Sequence, residues 1–352
     1  MVSDNPMQQV RESSKWVEQH SKDVKINHDK IIEFLDNIKE DEFKQKSSIV
    51  LFPLNFSNNS QEANFWFILD LLNFGSGFRK ELKEASGKGA YETLCYGLMG
   101  MFLSQGGKLS AHFLHNLSLN DIGSFFSIPI QEEVQIQTGI YTLKDTTLKP
   151  LAVHIQKVLR ESTETMFELG YEDFGEFVWK ITTPAAGGDT KPLAADFINK
   201  IIQKIPAFND QTVYQDHHVY FFKKVQLLAA DLYRRFGESL PERFNFSDID
   251  QLTVFTDNVL PAVLRKFGIL ELSPSLAAHI DSSKELESGD QETELRILAI
   301  QACNEMMEIV KTRPQNSFIK NSLELDYYLW TKGKDKEFRE AERHYTKKTI
   351  FY

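Results

Sequence analysis

The chain has 352 residues, of which 41% are hydrophobic and 26% charged, as in ordinary globular proteins. Its 40 Lys and Arg against 50 Asp and Glu leave a formal net charge of −10, which argues against a surface that binds nucleic acid through many phosphates. No run approaches the roughly 18 apolar residues of a membrane span, and the N-terminal residues lack the apolar stretch of a signal peptide. We therefore expect a soluble cytoplasmic protein, with nuclear access left open, that has no membrane or nucleic-acid partner.

The two cysteines, Cys95 and Cys303, both lie inside apolar helical patterns. This count fits neither a disulfide framework nor a zinc site with four cysteine ligands. We expect two buried free thiols. The 27 Phe residues predict a densely packed aromatic core, because large aromatic side chains are mostly buried.

The N-terminal half shows the spacing of apolar residues that is typical of amphipathic helices. This spacing predicts helices at residues 10–19, 24–38, 63–74, 91–103 and, with breaks near Pro129 and Pro150, 118–169. The segment ANFWFILDLLNF, residues 63–74, is apolar at nearly every position, which indicates a helix that is buried on most sides.

The C-terminal half begins after the clearest loop, ITTPAAGGDTKPL, where we place a possible subdomain break near residues 183–193. The run VYQDHHVYFF alternates weakly and predicts either a short strand or an extended entry to a helix. Ser247 and Asp250 resemble a capping box, and Leu260-Pro261 indicates a helix with proline in its first turn. Further helices are predicted at residues 223–236, 292–310 and 322–330. The predicted fold is all-α or nearly so, in one domain of residues 1–352.

The common catalytic motifs are absent from the sequence: there is no GxGxxG with a following acid, no P-loop, no HExxH and no GxSxG. The adjacent His217 and His218 point in different directions and make a poor metal pair. His112 and His115 are spaced like metal ligands, but no third ligand is evident nearby. Packing or surface histidines are the favoured interpretation.

Four acids interrupt apolar runs, where a buried charge is costly unless it is paired or used: Asp70, Asp231, Asp257 and Asp326. Each has a structural alternative. Asp70 could form a salt bridge to a basic residue of another helix, and Asp231 could form one to Arg234 or Arg235. Asp257 could cap the helix that begins near Pro261, and Asp326 could join two helices through Tyr327 or Tyr328. Composition and pattern alone do not identify an enzyme.

These same segments resemble the queuosine salvage proteins, the queuosine 5′-phosphate N-glycosidases. The resemblance runs in order through nearly the whole chain, in VRESSK, NFWFILDLLNF, GAYETLC, FFKKVQLLAADLY, FTDNVLPAVLRKFG, ETELR and LDYYLW. It implies one compact helical domain similar in architecture to DNA glycosylases. It also implies hydrolysis of queuosine 5′-phosphate to queuine and ribose 5-phosphate, for queuine salvage and tRNA queuosine modification.

The resemblance places the catalytic aspartate of the family on Asp257 and its lysine on Lys223. It further implies substrate-binding roles for Asp70, Asn73, Phe74, Asp231, Glu294, Arg296, Asp326 and Tyr328. Asp70 and Asn73 are expected one turn apart on the same helical face, where they could read the edge of the base. Phe74 or Tyr328 could stack on the base.

The implied reaction explains why a carboxylate is needed. Queuine is a 7-deazaguanine, so it lacks the ring nitrogen that purine hydrolases protonate. A carboxylate at Asp257 would stabilise the positive charge that develops on the sugar and activate a water. Lys223 would bind the 5′-phosphate or keep Asp257 ionised. Arg296 is a second phosphate candidate, with a surface ion pair to Glu292 as its alternative; no cofactor or metal is required.

The sequence departs from the family at three places. Asn258-Val259 follow Asp257 where many members carry tyrosine and arginine, Gly-Ser-Gly-Phe follows Phe74 where many carry tryptophan, and HYTKK replaces a more basic stretch. The chain thus resembles a divergent branch of fungal and plant type. These changes motivate a second hypothesis, a non-catalytic helical protein that binds queuine or a related nucleotide. A third, a glycosylase acting on nucleic-acid bases, is disfavoured by the charge of −10.

Overall fold

A computed structural model describes residues 4–47, 53–184 and 191–352 of the chain. Within these ranges the helices are α1 (Pro6–His20), α2 (His28–Asn37), α3 (Glu40–Lys46), α4 (Asn59–Leu71), α5 (Arg79–Ser86), α6 (Ala90–Ser104), α7 (Ala111–His115), α8 (Leu119–Phe126), α9 (Lys149–Leu169), α10 (Phe174–Ile181), α11 (Ala194–Ile202), α12 (Lys223–Phe236), α13 (Pro241–Phe244), α14 (Val259–Lys266), α15 (Pro274–Asp281), α16 (Asp290–Val310), α17 (Ser322–Lys332) and α18 (Lys336–Arg339). The strands are β1 (Val24–Ile26), β2 (Gln131–Gln137), β3 (Ile140–Asp145), β4 (Gln211–Tyr214), β5 (His217–Tyr220) and β6 (Leu270–Leu272). The strands form antiparallel pairs β1–β6, β2–β3 and β4–β5. The prediction of a nearly all-helical fold is confirmed.

The chain divides into two compact units. The first unit comprises Met1–Phe52, Pro184–Ile201 and Phe208–Lys348, and the second comprises Pro53–Thr183, Ile202–Ala207 and Thr349–Tyr352. One boundary falls inside the segment that the sequence marks as the clearest loop, of which residues 185–190 lie outside the described part of the chain. Among the helices in these described ranges, none combines the length and the apolar composition that a membrane span requires.

The first unit is organised around α16. Every residue from 292 to 303 of this helix is buried, so this stretch is buried on all of its faces. Helices α1, α2, α14 and α17 pack on it, together with β1. Asp290 and Glu292 lie in its first turn and stabilise the start of the helix, because negative side chains interact favourably with the positive end of the helix dipole. The helix that the sequence predicts at residues 292–310 is confirmed.

The second unit has α4 and α10 packed closely together. A side chain at Gly175 would come within 2.2 Å of the backbone oxygen of Ser60, so glycine permits this close approach. The buried amide of Asn64 joins the neighbouring segments: its nitrogen donates to the carbonyl oxygen of Leu109 at 2.9 Å, and its oxygen accepts from the backbone N–H of Phe174 at 3.1 Å. Burial of α4 on most sides, as predicted from the sequence, is confirmed.

The prediction of helix over residues 118–169, with breaks near Pro129 and Pro150, is wrong between these two breaks. Residues 131–145 form the β2–β3 hairpin, which turns at Gly139 with φ 79°. Glu, Gln and single apolar residues suit a helix as well as a strand, and both strands are almost wholly exposed. Because neither face of the hairpin is buried, the sequence shows no alternation of apolar and polar residues there. The predicted break near Pro150 coincides with a helix boundary, since α9 begins at Lys149 and Pro150 lies in its first turn.

Two further predictions fail for tertiary reasons. Residues 24–26, predicted as helix, pair with β6, and the helix begins only after Asn27, whose side chain accepts from the backbone N–H of Lys30 at 3.1 Å. Ser247 and Asp250 cap no helix. Their neighbour Asp248 instead accepts from the backbone N–H groups of Ala194 and Ala195, at 2.6 and 3.1 Å, at the start of α11. A cap supplied from a distant segment leaves no local signal.

Other predictions are confirmed. Helix α12 has the predicted bounds, and Pro261 lies in the first turn of α14. The run VYQDHHVYFF contains strand residues of the β4–β5 hairpin, so its strand interpretation holds. Cys95 and Cys303 are buried free thiols.

Candidate active site

Lys223 begins α12 directly after a strained residue. Phe222 has φ 50°, a left-handed conformation that bulky residues rarely adopt. The carbonyl oxygen of Asp210 accepts from the backbone N–H groups of Phe221 and Phe222, at 3.0 and 3.1 Å, and so holds this turn in place. The side chain of Lys223 is consequently directed into the first unit, where it is only 4% exposed.

The amine of Lys223 lies among buried charges. Burial lowers its pKa because the low-dielectric interior disfavours the ammonium form, and the positive charge of Arg296 acts in the same direction. Three carboxyl groups oppose this effect, of which Asp257 contributes most, followed by Asp210 and Asp326. Asp257 and Lys223, the predicted catalytic pair, are thus electrostatic neighbours inside one unit.

Asp257 lies at the end of the irregular segment that precedes α14, and it is half-buried. Its Oδ1 accepts from the backbone N–H of Val259, the first residue of α14, at 2.6 Å. The predicted alternative of a helix cap is therefore confirmed in function, although the N-cap position itself is Asn258 and Asp257 acts from the residue before it. Capping and a chemical role are compatible, since a carboxylate has several lone pairs and the helix N-terminus favours its negative charge.

Asp326 on α17 is held against the segment that carries Asp257. Its Oδ1 accepts from the backbone N–H of Phe255 at 2.6 Å, two residues before Asp257. Burial raises the pKa of Asp326 to about 7, and the negative charge of Asp257 adds to this effect, while the hydrogen bond from Phe255 and the charges of Arg234 and Lys223 oppose it. Near neutral pH a large fraction of this carboxyl group is therefore protonated.

Asp231 on α12 is bound by the neighbouring residue of α17. The hydroxyl of Tyr327 donates to its Oδ1 at 2.7 Å, and Cζ of Arg234 lies 3.5 Å from the centre of the Tyr327 ring. Burial raises the pKa of Asp231 to about 6, while the Tyr327 hydrogen bond and the Arg234 charge oppose the rise. Consecutive residues of α17, Asp326 and Tyr327, thus hold the Asp257 segment and the helix that starts at Lys223.

Arg296 is buried in a network on α16. Its guanidinium binds Asp210 with both terminal nitrogens, Nη1 to Oδ1 at 3.2 Å and Nη2 to Oδ2 at 2.6 Å, and stacks 4.0 Å from the ring of Phe221. Glu292 lies 3.6 Å away, but both side chains are buried, so the expected surface ion pair is wrong in its placement. The network fixes Asp210, whose backbone in turn supports the turn before Lys223.

Glu294 is occupied by protein donors. Its carboxylate accepts from three consecutive backbone N–H groups, those of Lys22 at 3.0 Å, Asp23 at 2.7 Å and Val24 at 2.9 Å, and from the hydroxyl of Tyr214 at 2.7 Å. These bonds fasten the segment between α1 and β1 to α16. The contacts favour a structural role, and substrate binding by Glu294 stays a prediction.

Tyr328 lies on a different face of α17 from Asp326, because two residues are about 200° apart around a helix. Its ring packs near Phe34 and Phe43, with centroids 6.3 and 5.1 Å away, and it is only 2% exposed. It lines a cavity of about 280 Å³ whose wall also includes Lys332. The structure therefore does not bring Tyr328 together with Asp257.

The remaining predicted residues belong to the second unit. Asp70 lies in the last turn of α4 and is 1% exposed, and Phe74 is buried in the following turn. Asn73 lies beyond the end of the helix at Leu71, so its expected place one turn after Asp70 on the same helical face is wrong. These residues form a compact turn at the end of α4, and substrate binding by them stays a prediction.

Comparison with known proteins places this chain in a family. A sequence profile described as queuosine salvage protein matches residues 54–352. The chain belongs to the queuosine salvage protein family.

Several relatives of this queuosine salvage protein carry one name, queuosine 5′-phosphate N-glycosylase/hydrolase. The chain is 26% identical to the one from Nematostella vectensis, with 99% of each chain covered. It is 25% identical to the one from Dictyostelium discoideum, with 99% of this chain and 100% of the relative covered. With the Mus musculus protein it shares 24% identity over 91% of each chain. The similarity therefore extends through both units.

In this member of the queuosine salvage family, sequence reasoning missed Asp210 and His344. Asp210 is 1% exposed and is bound by Arg296, but its polar neighbours in FNDQT hide its burial in the sequence. His344 is 2% exposed, and burial together with the charge of Arg296 lowers its pKa to about 3, which keeps the imidazole neutral. It lies in a charged tail, where no apolar pattern signals burial.

Proposed function

We propose that this protein is an N-glycosylase that hydrolyses queuosine 5′-phosphate to queuine and ribose 5-phosphate, with Asp257 as catalytic carboxylate and Lys223 as its cationic partner. One arrangement carries the assignment of residues: consecutive residues of α17 bind the segment that leads to Asp257 and the helix that begins at the buried Lys223. The names of the relatives, whose similarity covers nearly the whole chain, support the activity.

In the proposed reaction, Asp257 is the main catalytic residue. Cleavage of the bond between base and ribose leaves positive charge on the sugar, and a fixed carboxylate stabilises this charge more in the transition state than in the ground state. The same carboxylate orients a water and accepts its proton. Capping of α14 holds Asp257 in one position, which limits the reorganisation needed during the reaction.

The ammonium group of Lys223 would bind the negatively charged phosphate of the substrate. Its burial makes the ammonium form costly, and a phosphate dianion would compensate this cost together with Asp257. The strained turn at Phe222 fixes the backbone position from which the Lys223 side chain extends, at the start of α12. We assign the 5′-phosphate to Lys223.

Asp326 supplies a different function from Asp257. With its pKa raised to about 7 by burial, it is able to donate a proton in a hydrogen bond, whereas an ionised carboxylate only accepts. Queuine needs such a donor on its carbonyl edge, since its ring lacks the basic nitrogen of ordinary purines. We therefore propose that Asp326 binds the departing base.

The other predicted features stay predictions. They are substrate binding by Asp70, Asn73, Phe74, Asp231, Glu294, Arg296 and Tyr328, a single domain of DNA-glycosylase architecture, a cytoplasmic location, and the lack of a nucleic-acid partner. The net charge of −10 supports the last of these.

The test is incubation of the protein with queuosine 5′-phosphate and quantification of free queuine. Asp257→Asn removes the negative charge with little change in shape, and we expect a loss of about 100- to 1000-fold in rate. Asp250→Asn, an exposed acid in the preceding segment, is the matched control. Absence of release by the wild type, or undiminished release by Asp257→Asn, contradicts the proposal.

The departures after Asp257 favour one competing function, binding of queuine or its nucleotide without turnover. Asn258 and Val259, which stand where many members carry tyrosine and arginine, are both buried beside the catalytic candidate. This function predicts that queuine or queuosine 5′-phosphate raises the melting temperature without formation of product. Observed turnover excludes it.

A further inference from the structure

Three potential metal ligands from three different helices meet in the first unit, and the proposed reaction uses none of them. Glu18 lies near the end of α1, His28 is the first residue of α2, and Glu305 lies in the second half of α16. One ligand atom of each lies within 4.8 Å of the other two. Among the described residues, this is the group of His, Cys, Asp and Glu side chains that has the geometry to hold a metal ion.

The imidazole of His28 faces both carboxylates. Its Nδ1 lies 2.8 Å from Oε2 of Glu305, and its Nε2 lies 3.9 Å from Oε1 of Glu18. The two Glu side chains are largely buried, at 24% and 22% exposure, while that of His28 is 65% exposed. His28 can therefore turn about its side-chain bonds to present either nitrogen to an ion that enters from solvent.

A buried amide fixes the other sides of the carboxylates. Nε2 of Gln301 donates to Oε2 of Glu18 at 3.1 Å and to Oε1 of Glu305 at 3.0 Å. The orientation of this amide is set by Ser14, whose hydroxyl donates to its oxygen at 2.9 Å in a buried contact. One oxygen of each carboxylate is thus held by Gln301, and the opposite oxygen is directed toward His28.

This arrangement resembles the outer shell of metal sites, where hydrogen bonds orient carboxylate ligands. Two adjacent carboxylates on rigid helices repel each other, and a divalent cation between them would compensate both charges. An imidazole nitrogen with two carboxylate oxygens suits first-row transition metals, in contrast to the all-oxygen sets that Mg²⁺ and Ca²⁺ prefer.

We propose that Glu18, His28 and Glu305 form a three-ligand site for a divalent transition-metal ion, with zinc as the best-fitting ion. The bound ion would link α1 and α2 to α16, the helix that also carries Arg296 and Glu294. Its role would be to stabilise the first unit, independently of the proposed hydrolysis.

The proposal is tested on the full-length chain, stripped of metal with a chelator and then titrated with ZnCl₂ at neutral pH. Equilibrium dialysis and thermal unfolding provide two readouts that need no substrate. We expect one zinc per chain and a rise in melting temperature with zinc but not with MgCl₂. His28→Ala should raise the zinc Kd by at least about tenfold, since loss of even an outer-shell contact costs 10- to 100-fold.

Glu308→Gln is the matched control, because Glu308 is an exposed carboxylate on the same helix that pairs with Lys311. This variant should bind zinc as the wild type does, whereas Glu305→Gln should resemble His28→Ala. Failure of the wild type to bind zinc, as expected if the three side chains form an ion pair alone, would overturn the proposal. Equal zinc binding by wild type and His28→Ala would do so as well.

Discussion

The backbone N–H of Phe255 donates to Oδ1 of Asp326 at 2.6 Å, so a buried carboxyl group on α17 holds the segment that leads to Asp257. The next residue on α17, Tyr327, binds Asp231 on the helix that Lys223 begins. Two successive side chains of one helix therefore bind both segments that carry the proposed catalytic pair.

Asp326→Ala should destabilise the protein more than Asp326→Asn does. Alanine leaves the buried N–H of Phe255 without an acceptor, which typically costs about 1–3 kcal/mol, whereas asparagine keeps an oxygen at this position. The free energy of unfolding from denaturant titration is the readout, with Asp250→Ala as an exposed control. Equal stability of the two Asp326 variants would show that the hydrogen bond contributes little.

The stability of the protein should fall through Asp326 as pH rises from about 4 to 7.5. The ordinary pKa of 3.8 is raised to about 7 in the folded protein, so the folded state holds a proton that the unfolded state has released. The stabilisation is complete below the ordinary pKa and is lost as pH rises through 7. Because asparagine does not titrate, Asp326→Asn should gain stability relative to wild type toward pH 7.5. A constant difference between the two proteins over this range contradicts the assigned protonation.

Two bidentate Arg–Asp pairs offer a matched comparison of burial. Asp210→Ala leaves the guanidinium of Arg296 buried with a main partner removed, and we expect a loss of about 3–5 kcal/mol in unfolding free energy. Asp281→Ala removes the partner of Arg265 at a site where Asp281 is 55% exposed, and should cost at most about 1 kcal/mol. Similar losses for both variants would mean that the Asp210–Arg296 network is not a main support of the site.

Lys223→Met should weaken inhibition by ribose 5-phosphate and leave inhibition by queuine nearly unchanged. Loss of a hydrogen bond to a charged group costs about 1.5–3 kcal/mol, which corresponds to an increase in Ki of roughly 10- to 150-fold. Queuine, which lacks the phosphate, serves as the internal control, and Lys266→Met is the control for an exposed lysine. Undiminished inhibition by ribose 5-phosphate would restrict Lys223 to a role beside Asp257.

The elements with strong local signals were predictable from the sequence. The helical apolar pattern of residues 223–236 corresponds to α12, and Pro261 lies in the first turn of α14 as predicted. The β2–β3 hairpin was missed because its strands bury almost nothing, so alternation had no reason to appear. Pairing of β1 with β6 depends on a partner more than 200 residues away, which no local pattern encodes.

The candidate site was predictable where acids interrupt apolar runs. Asp231, Asp257 and Asp326 were found in this way, and the first unit contains all three. Asp210 has polar neighbours in the sequence, and its buried pairing with Arg296 joins residues that are 86 positions apart. The structural use of Glu294 was equally hidden, because its donors are backbone groups of residues 22–24.

The central claim is that the carboxylate of Asp257 stabilises the reaction rather than only capping α14. Its most direct test is the single-turnover rate of queuine release, with enzyme in excess over queuosine 5′-phosphate, for wild type and Asp257→Asn. Asparagine keeps an oxygen that can accept from the N–H of Val259, so the cap survives while the negative charge is lost. We predict a rate about 100- to 1000-fold lower in a variant that melts close to the wild-type temperature. A single-turnover rate equal to that of wild type would contradict the account.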